Sequence, residues 1–87
     1  MSEMKQLICI SEENHGVIGV ASDFLKAKQF LLETDWVGEH TDFYDEKAGG
    51  WKSLPELFGE NWQEEFLKQD EDFFDGSFYF HEISFLE

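Results

Sequence analysis

Two runs of carboxylates are the side chains of this 87-residue chain best suited to chemistry. Residues 33–46 hold six acidic side chains and no lysine, and residues 60–75 hold seven acidic side chains against Lys68 alone. The whole chain has 20 acidic residues, six lysines and no arginine, a formal net charge of −14. Carboxylates at this density bind cations or present negative charge to a basic surface. A solvated face explains one such run, but two runs in a chain without arginine favour a surface that binds something basic.

Metal binding is poorly matched by the spacing of these acids. Residues 70–76 resemble a calcium loop, but Phe74 and Asp75 occupy its fifth and sixth positions, where an acid and a glycine are required. The pairs Glu39-His40 and His81-Glu82 have no third ligand at usable spacing. The sequence therefore predicts no metal site and no cofactor.

Catalytic motifs are also missing from the sequence. It contains no G-x-S-x-G, P-loop or H-E-x-x-H pattern. Without arginine, the chain has no bidentate clamp for an anionic substrate. Cys9 lies in the apolar run Leu7–Ile10, which is typical of a small buried hydrophobe rather than of a nucleophile. We therefore expect a protein that is not an enzyme and has no catalytic residues.

Aromatic side chains lie in or beside both acidic runs. At protein interfaces aromatic anchors supply much of the binding energy, while charges mainly set association rate and specificity. Carboxylates on a helix face and adjoining loops can approximate the phosphate spacing of duplex DNA, one charge per ~1.7 Å of axis, so a basic cleft built for phosphate would accept them. The predicted partner-binding residues are Glu39, Asp42, Asp45, Glu60, Glu64, Glu65, Asp70, Glu71, Asp72, Asp75, Trp36, Trp51 and Phe73.

The predicted partner is a basic protein, namely a nuclease or another nucleic-acid-binding protein. Phage or mobile-element inhibitors of host nucleases, including anti-CRISPR proteins, and immunity proteins against nuclease toxins are often small and acidic in the same way. Direct binding to nucleic acid or to an acidic membrane is not expected, because the net charge repels both. The alternative is a structural or regulatory module whose charge serves solubility and whose exposed aromatics form a homodimer seam.

The elements that position these residues fit one acidic domain over residues 1–87. Hydrophobic residues make up 41% of the chain, enough for a single core. No apolar run has the length of a signal peptide or membrane span, and a single cysteine allows no internal disulfide. These features predict a cytoplasmic protein.

The first half of the chain predicts a hairpin followed by a helix. Apolar runs at 5–10 and 16–21 flank a turn and predict an antiparallel pair, in which Gly19 marks a bulge or a close packing contact. Apolar residues at helical spacing predict a helix over 23–34, with Lys28 on its solvent side. Either Ser22 or Asp23 supplies the N-cap of that helix.

The second half predicts a smaller hairpin, further helix and a last strand. Residues 42–45 and 51–52 flank a turn, and Ser53 with Glu56 has the spacing of a capping box for a helix that ends near Gly59 and restarts at Asn61. Residues 77–86 have apolar side chains on both faces, which predicts a central strand. The order β-β-α-(β-β)-α-β predicts an α+β fold: a small antiparallel sheet, the N-terminal hairpin plus the C-terminal strand, packed by two or three helices.

Residues 54–66, Leu-Pro-Glu-Leu-Phe-Gly-Glu-Asn-Trp-Gln-Glu-Glu-Phe, resemble the segment that leads into the second helix of the barstar family. Members of that family are small acidic inhibitors of a basic ribonuclease, in which an aromatic-Gly-x-Asn turn begins a helix bearing inhibitory acids. The resemblance covers 13 of 87 residues, Gln63 stands where the family often has Asp, and only one strand follows the motif here. It implies an inhibitor role by analogy. A helix-break-helix with a capping asparagine explains the same residues.

Overall fold

A computed structural model of the chain describes residues 4–74 and 76–86, and confirms the predicted α+β fold and its element order. Two short 3-10 turns, Gly59–Asn61 and Glu71–Phe74, accompany the regular elements. The strands and helices are β1 (Met4–Glu12), β2 (Gly16–Ala21), α1 (Phe24–Glu33), β3 (Asp42–Asp45), β4 (Gly50–Ser53), α2 (Leu54–Phe58), α3 (Trp62–Leu67) and β5 (Phe78–Leu86).

The main sheet is antiparallel with the strand order β2-β1-β5, and β3 pairs with β4 in a separate hairpin. β1 pairs with β5 over its whole length but with β2 only from Ile8 onward, so the sheet narrows to two strands at one end and the molecule measures 51 × 24 × 22 Å. The prediction that the last strand is central is wrong, since β1 holds that place. Tyr79 and Ile83, on the second face of β5, are exposed instead of covered.

The core lies between one face of the main sheet and the helices, and four of its nine described buried hydrophobic residues are phenylalanines. Ile10, opposite Phe80 in the register, is fully buried on this face of the sheet. Phe74 is fully buried at the centre, with its ring centroid 5.1 Å from that of Phe80, 5.3 Å from that of Phe66 and 6.0 Å from that of Phe24. Edge-to-face ring pairs of this kind add to the stabilisation from burial alone.

Gly19 allows α1 to approach the sheet closely. A Cβ atom at this position would lie 2.5 Å from a ring carbon of Phe30. The β1–β2 register also shifts next to it, between Ile10 and Ser11. Both roles expected for this glycine, a bulge and a close packing contact, are therefore present at one site.

Helix α1 begins at an Asp23 cap, whose carboxylate accepts the backbone N–H of Lys26 at 2.8 Å, as predicted. The prediction that Lys28 faces solvent is wrong, because its side chain is only 5% exposed. Its ammonium lies 4.5 Å from the centre of the Phe24 ring. It also donates to the carbonyl oxygen of Leu67, the last residue of α3, and to that of Gln69, two residues further on. Carbonyl groups at a helix C-terminus have no intrahelical donor and attract a cation, which accounts for a buried lysine here.

The helical part of the second half is interrupted near Gly59 and resumes as α3 at Trp62, close to the predicted positions. Ser53 is the N-cap of α2, but in the described structure its hydroxyl donates to the Glu56 carboxylate at 3.2 Å and caps no backbone N–H. Gly59 takes a positive φ of 81°, which separates α2 from α3, and α3 ends at Leu67. The predicted acidic loop after α3 contains a 3-10 turn that carries Phe74 into the core.

Candidate functional site

The β3–β4 hairpin displays an aromatic pair on its outer face. Tyr44 and Trp51 are directly opposite each other, with ring centroids 5.7 Å apart and planes at 69°. Their side chains are 50% and 60% exposed, whereas Phe43, on the other face of the hairpin, is 1% exposed. Strand alternation thus sends one aromatic ring into the core and leaves two large rings in solvent.

An open groove of about 810 Å³ runs beside this aromatic pair. Its walls come from the hairpin, from the segment after α3 and from the β1–β2 turn. Among the described lining residues, four carboxylates face one lysine, so the groove is strongly negative. The lining residues are Glu13, Tyr44, Glu46, Lys47, Trp51, Gln69, Asp70, Asp72, Phe73 and Gly76.

Asp45 holds the turn of the hairpin wall. Its carboxylate accepts the backbone N–H of Lys47 at 3.0 Å, and its carbonyl accepts that of Gly49 at 2.7 Å. The same carboxylate lies 3.8 Å from the ammonium of Lys52. These contacts fix the turn that carries Glu46, so that its carboxylate is presented beside the aromatic pair.

Lys28 and Phe73 anchor the opposite wall. The Lys28 ammonium donates to the carbonyl oxygens of Leu67 and Gln69, the latter at 2.9 Å, immediately before Asp70. Burial lowers the pKa of Lys28, and the negative charge of Asp70 opposes that shift. The Phe73 ring stacks on Phe43 with centroids 4.6 Å apart. The acidic segment is therefore attached to the core on both sides of Asp70.

The β1–β2 turn supplies the third wall, because the backbone N–H of Glu13 donates to the carbonyl of Ser77 at 3.2 Å. A smaller hollow of about 300 Å³ lies beside the groove and shares Glu13 and Trp51 with it. Trp36 lines this hollow, and the ring of His15 meets its ring edge-on at 5.2 Å. A hydrogen bond with His15 holds the pKa of the Glu12 carboxyl below its usual value.

The structure brings some of the predicted partner-binding residues together and leaves others apart. Trp51, Asp70, Asp72 and Phe73 line the groove, and Trp36 lines the adjoining hollow. Asp45 holds the hairpin turn, as described above. Exposed positions outside the described groove lining are Glu39, Asp42, Glu60, Glu64 and Glu71.

Two further residues of the predicted set are Glu65 and Asp75. Glu65 is half-buried on α3, with its carboxylate 3.5 Å from the ammonium of Lys68. Asp75 lies outside the described residues. Glu65 is not among the described lining residues of the groove.

Six of the ten described lining residues were absent from the predicted set, and three of these six, Glu13, Tyr44 and Glu46, supply a carboxylate or an aromatic ring. Tyr44 and Glu46 lie in the first acidic run, and the two-residue alternation of the hairpin is a signal that places Tyr44 on the same face as Trp51. Glu13 reaches the groove from a distant turn through the Ser77 contact, for which the sequence holds no local signal.

The face of the main sheet that points away from the helices forms a second surface. By strand register, the described side chains on it include no carboxylate, and Val17 and Val20 are 65% and 53% exposed. Cys9 lies opposite His81 on this face and is half-buried, so the prediction of a buried thiol is wrong. The members of this apolar sheet face are Leu7, Cys9, Ser11, Val17, Val20, Tyr79, His81 and Ile83.

Metal-binding clusters and membrane-spanning helices are both absent from the described part of the chain. Among those residues, no three His, Cys, Asp or Glu side chains are grouped so as to hold a metal ion. Within the same residues, every helix is too short or too polar to cross a membrane. The described lining of the groove presents carboxylates and exposed aromatic rings, groups that interact favourably with cations.

No family model, curated protein sequence or solved structure matches the chain. The resemblance of residues 54–66 to the barstar family thus remains confined to that segment.

Proposed function

We propose that the protein is a non-enzymatic, acidic binding protein that occupies the nucleic-acid-binding surface of a basic partner in the cytoplasm. The observation that supports this most strongly is the groove, where Glu46 of the first acidic run and Asp70 and Asp72 of the second surround the exposed Tyr44–Trp51 pair. Carboxylates alone are common on solvated surfaces. Carboxylates around a large exposed aromatic pair combine the two ingredients of a protein interface, steering charge and an anchor.

Charge would bring the partner to the groove, and the aromatic pair would retain it. A net charge of −14 attracts a basic surface beyond contact range, with screening over ~8 Å at physiological ionic strength. The groove walls are anchored to the core by Lys28 and Phe73, which lowers the ordering cost of binding. A partner that has evolved to hold phosphates would meet a surface with the same sign of charge as phosphate.

The partner class we propose is a nuclease or other nucleic-acid-handling protein, inhibited in the manner of a phage or mobile-element anti-defence protein or of a nuclease immunity protein. Such a partner has a basic channel, and a protein that fills the channel excludes DNA or RNA. Inhibition would then need no chemical step and no cofactor. It would depend on salt, since both the inhibitor and the nucleic acid bind through charge.

The test is competition with nucleic acid on a panel of purified CRISPR nucleases and nuclease toxins. A fluorescently labelled duplex or RNA is bound to each enzyme, and the acidic protein is added at rising salt. We expect displacement from at least one enzyme, slower association as salt increases, and loss of displacement when the exposed groove residues Glu46 and Asp72 are both changed to Lys. Reversal of the exposed Glu33 and Glu82, outside the groove, is the control and should retain displacement. Equal loss in both variants would contradict a defined binding surface.

Self-association is a second candidate, favoured by the apolar sheet face rather than by the groove. Because its described side chains include no carboxylate, two copies can meet there without placing acids directly against acids. Salt separates the candidates: screening weakens attraction to a basic partner but relieves repulsion between two copies. Sedimentation equilibrium at about 50 and about 500 mM salt should show a dimer that strengthens with salt and is lost in Val20→Lys. A monomer at both salt concentrations would exclude this candidate.

A further inference from the structure

We infer that the groove accepts an arginine side chain presented on a short basic segment of the partner. This inference rests on the proposed function and specifies which cation the groove selects. A guanidinium is planar, weakly hydrated and able to stack on an aromatic face while its N–H groups bind carboxylates. A lysine ammonium is a compact, strongly hydrated point charge with neither property to the same degree.

The aromatic pair supplies the stacking surface. The planes of Tyr44 and Trp51 meet at 69°, so the two rings form a corner rather than a flat platform. Trp51 is 60% exposed, which leaves ring surface for a cation to cover. Arginine over tryptophan is among the most favourable cation–π arrangements in proteins.

The carboxylates around this corner supply the hydrogen-bond acceptors. Glu46 lies on the hairpin side, Asp70 and Asp72 on the opposite wall, and Glu13 on the third. A guanidinium has five N–H donors that point in different directions within one plane. Carboxylates on several sides of the groove can therefore accept hydrogen bonds from different N–H groups of the same guanidinium.

The dimensions of the groove indicate a peptide segment rather than an isolated side chain. Its volume of about 810 Å³ is in the range of sites that hold drug-sized ligands. It is also an open groove, so a backbone can enter and leave. Lys47 is the one cation among the described lining residues, so the four carboxylates leave the groove net negative and able to attract a basic segment.

The test is isothermal titration calorimetry with end-capped tetra-arginine and tetra-lysine peptides at about 150 mM salt. We expect tetra-arginine to bind about tenfold more tightly, as the difference between a stacked guanidinium and an ammonium predicts. Trp51→Ala should remove that preference and Trp51→Phe should keep most of it. Equal affinity for the two peptides, or no heat with tetra-arginine at millimolar concentration, would overturn the inference.

Two matched double variants separate the groove from net charge. Glu46→Gln with Asp72→Asn, and Glu33→Gln with Glu82→Gln, remove the same charge from exposed positions inside and outside the groove. We expect the first to weaken tetra-arginine binding about tenfold and the second less than about twofold. Equal weakening would assign binding to diffuse charge and overturn the inference.

The two proposals fail separately. If nucleic acid is displaced from a nuclease but the peptides bind alike, arginine selection fails and the inhibitor proposal stands. If tetra-arginine binds the groove selectively but no nuclease is displaced, the arginine site stands and the inhibitor proposal fails.

Discussion

Replacing Lys28 with methionine tests whether one buried cation holds the acidic wall of the groove. Methionine keeps most of the apolar stem but removes the ammonium, so the carbonyl oxygens of Leu67 and Gln69 lose a charged donor. Each of the two hydrogen bonds from this charged donor contributes about 1.5–3 kcal/mol, or about 3–6 kcal/mol together. Removing a buried charge returns several kcal/mol of desolvation cost, so part of that loss is offset. We expect a net loss of about 1–3 kcal/mol in the free energy of unfolding.

Urea unfolding followed by tryptophan fluorescence measures this loss. With a slope near 1 kcal/mol per molar urea for a small domain, the midpoint should fall by about 1–3 M. Lys26→Met is the matched control, because it removes the same charge from an exposed position on α1 and should change stability within about ±0.5 kcal/mol. If Lys28→Met is as stable as the wild type, or if both variants lose the same stability, the cation does not anchor the segment.

The pH dependence of the stability difference between the wild type and Lys28→Met gives a second check. Because burial lowers the pKa of Lys28 below its ordinary value of 10.5, the unfolded chain binds more protons at this site than the folded chain does between the two values. The contribution of Lys28 to wild-type stability therefore rises with pH in that window. Lys28→Met lacks this contribution, so the stability difference between wild type and variant should widen as pH approaches 10.5.

Three further predictions concern packing, titration and nucleic acid. Gly19→Ala should cost about 1–3 kcal/mol by overpacking against Phe30, and Phe30→Leu should cost less in that background than in the wild type, as a double-mutant cycle in urea would show. His15→Ala should raise the pKa of the Glu12 carboxyl toward 4.5, which NMR titration would measure. In the wild type, the stability that this carboxylate contributes is present above pH 4.5 and is lost as the pH falls through the lowered pKa. The isolated protein should give no gel shift with DNA or RNA at micromolar concentration in EDTA, and a shift would contradict the charge argument.

Local patterns were sufficient to predict the α+β class and the order of the elements along the chain. The α1 cap at Asp23, the two hairpins and the break at Gly59 follow from residues close in sequence. Lys28 could not be placed in this way, because the carbonyl groups that hold it belong to another helix. The position of the last strand in the sheet could not be predicted either. Apolar residues on both faces of a strand occur in central strands, but here the second face of β5 is exposed and the strand lies at the edge of the sheet.

The candidate site shows the same division between local and distant information. Asp70, Asp72 and Trp51 were selected from charge and aromatic content, and the structure places them around one groove. Glu13 joins them only through the contact between the β1–β2 turn and Ser77, which no local pattern encodes. The Glu60–Glu65 segment was selected for its density of acidic residues. That density does not show towards which side of the helix each carboxylate points, and none of the segment's three glutamates is among the described lining residues of the groove.

The aromatic core explains how so acidic a chain can present its charge on fixed walls. Phe73 and Phe74 lie within the second acidic run, yet their rings pack against Phe43 and Phe66 in the core. The neighbouring carboxylates are therefore held close together at the surface despite their mutual repulsion. Salt should then act in opposite directions on the two properties: screening relieves repulsion and raises the stability of the folded chain, while it weakens attraction to a basic partner. In the free protein these carboxylates repel one another, which destabilises the folded chain. A bound cationic partner neutralises them, and the relief of that repulsion adds to the binding free energy.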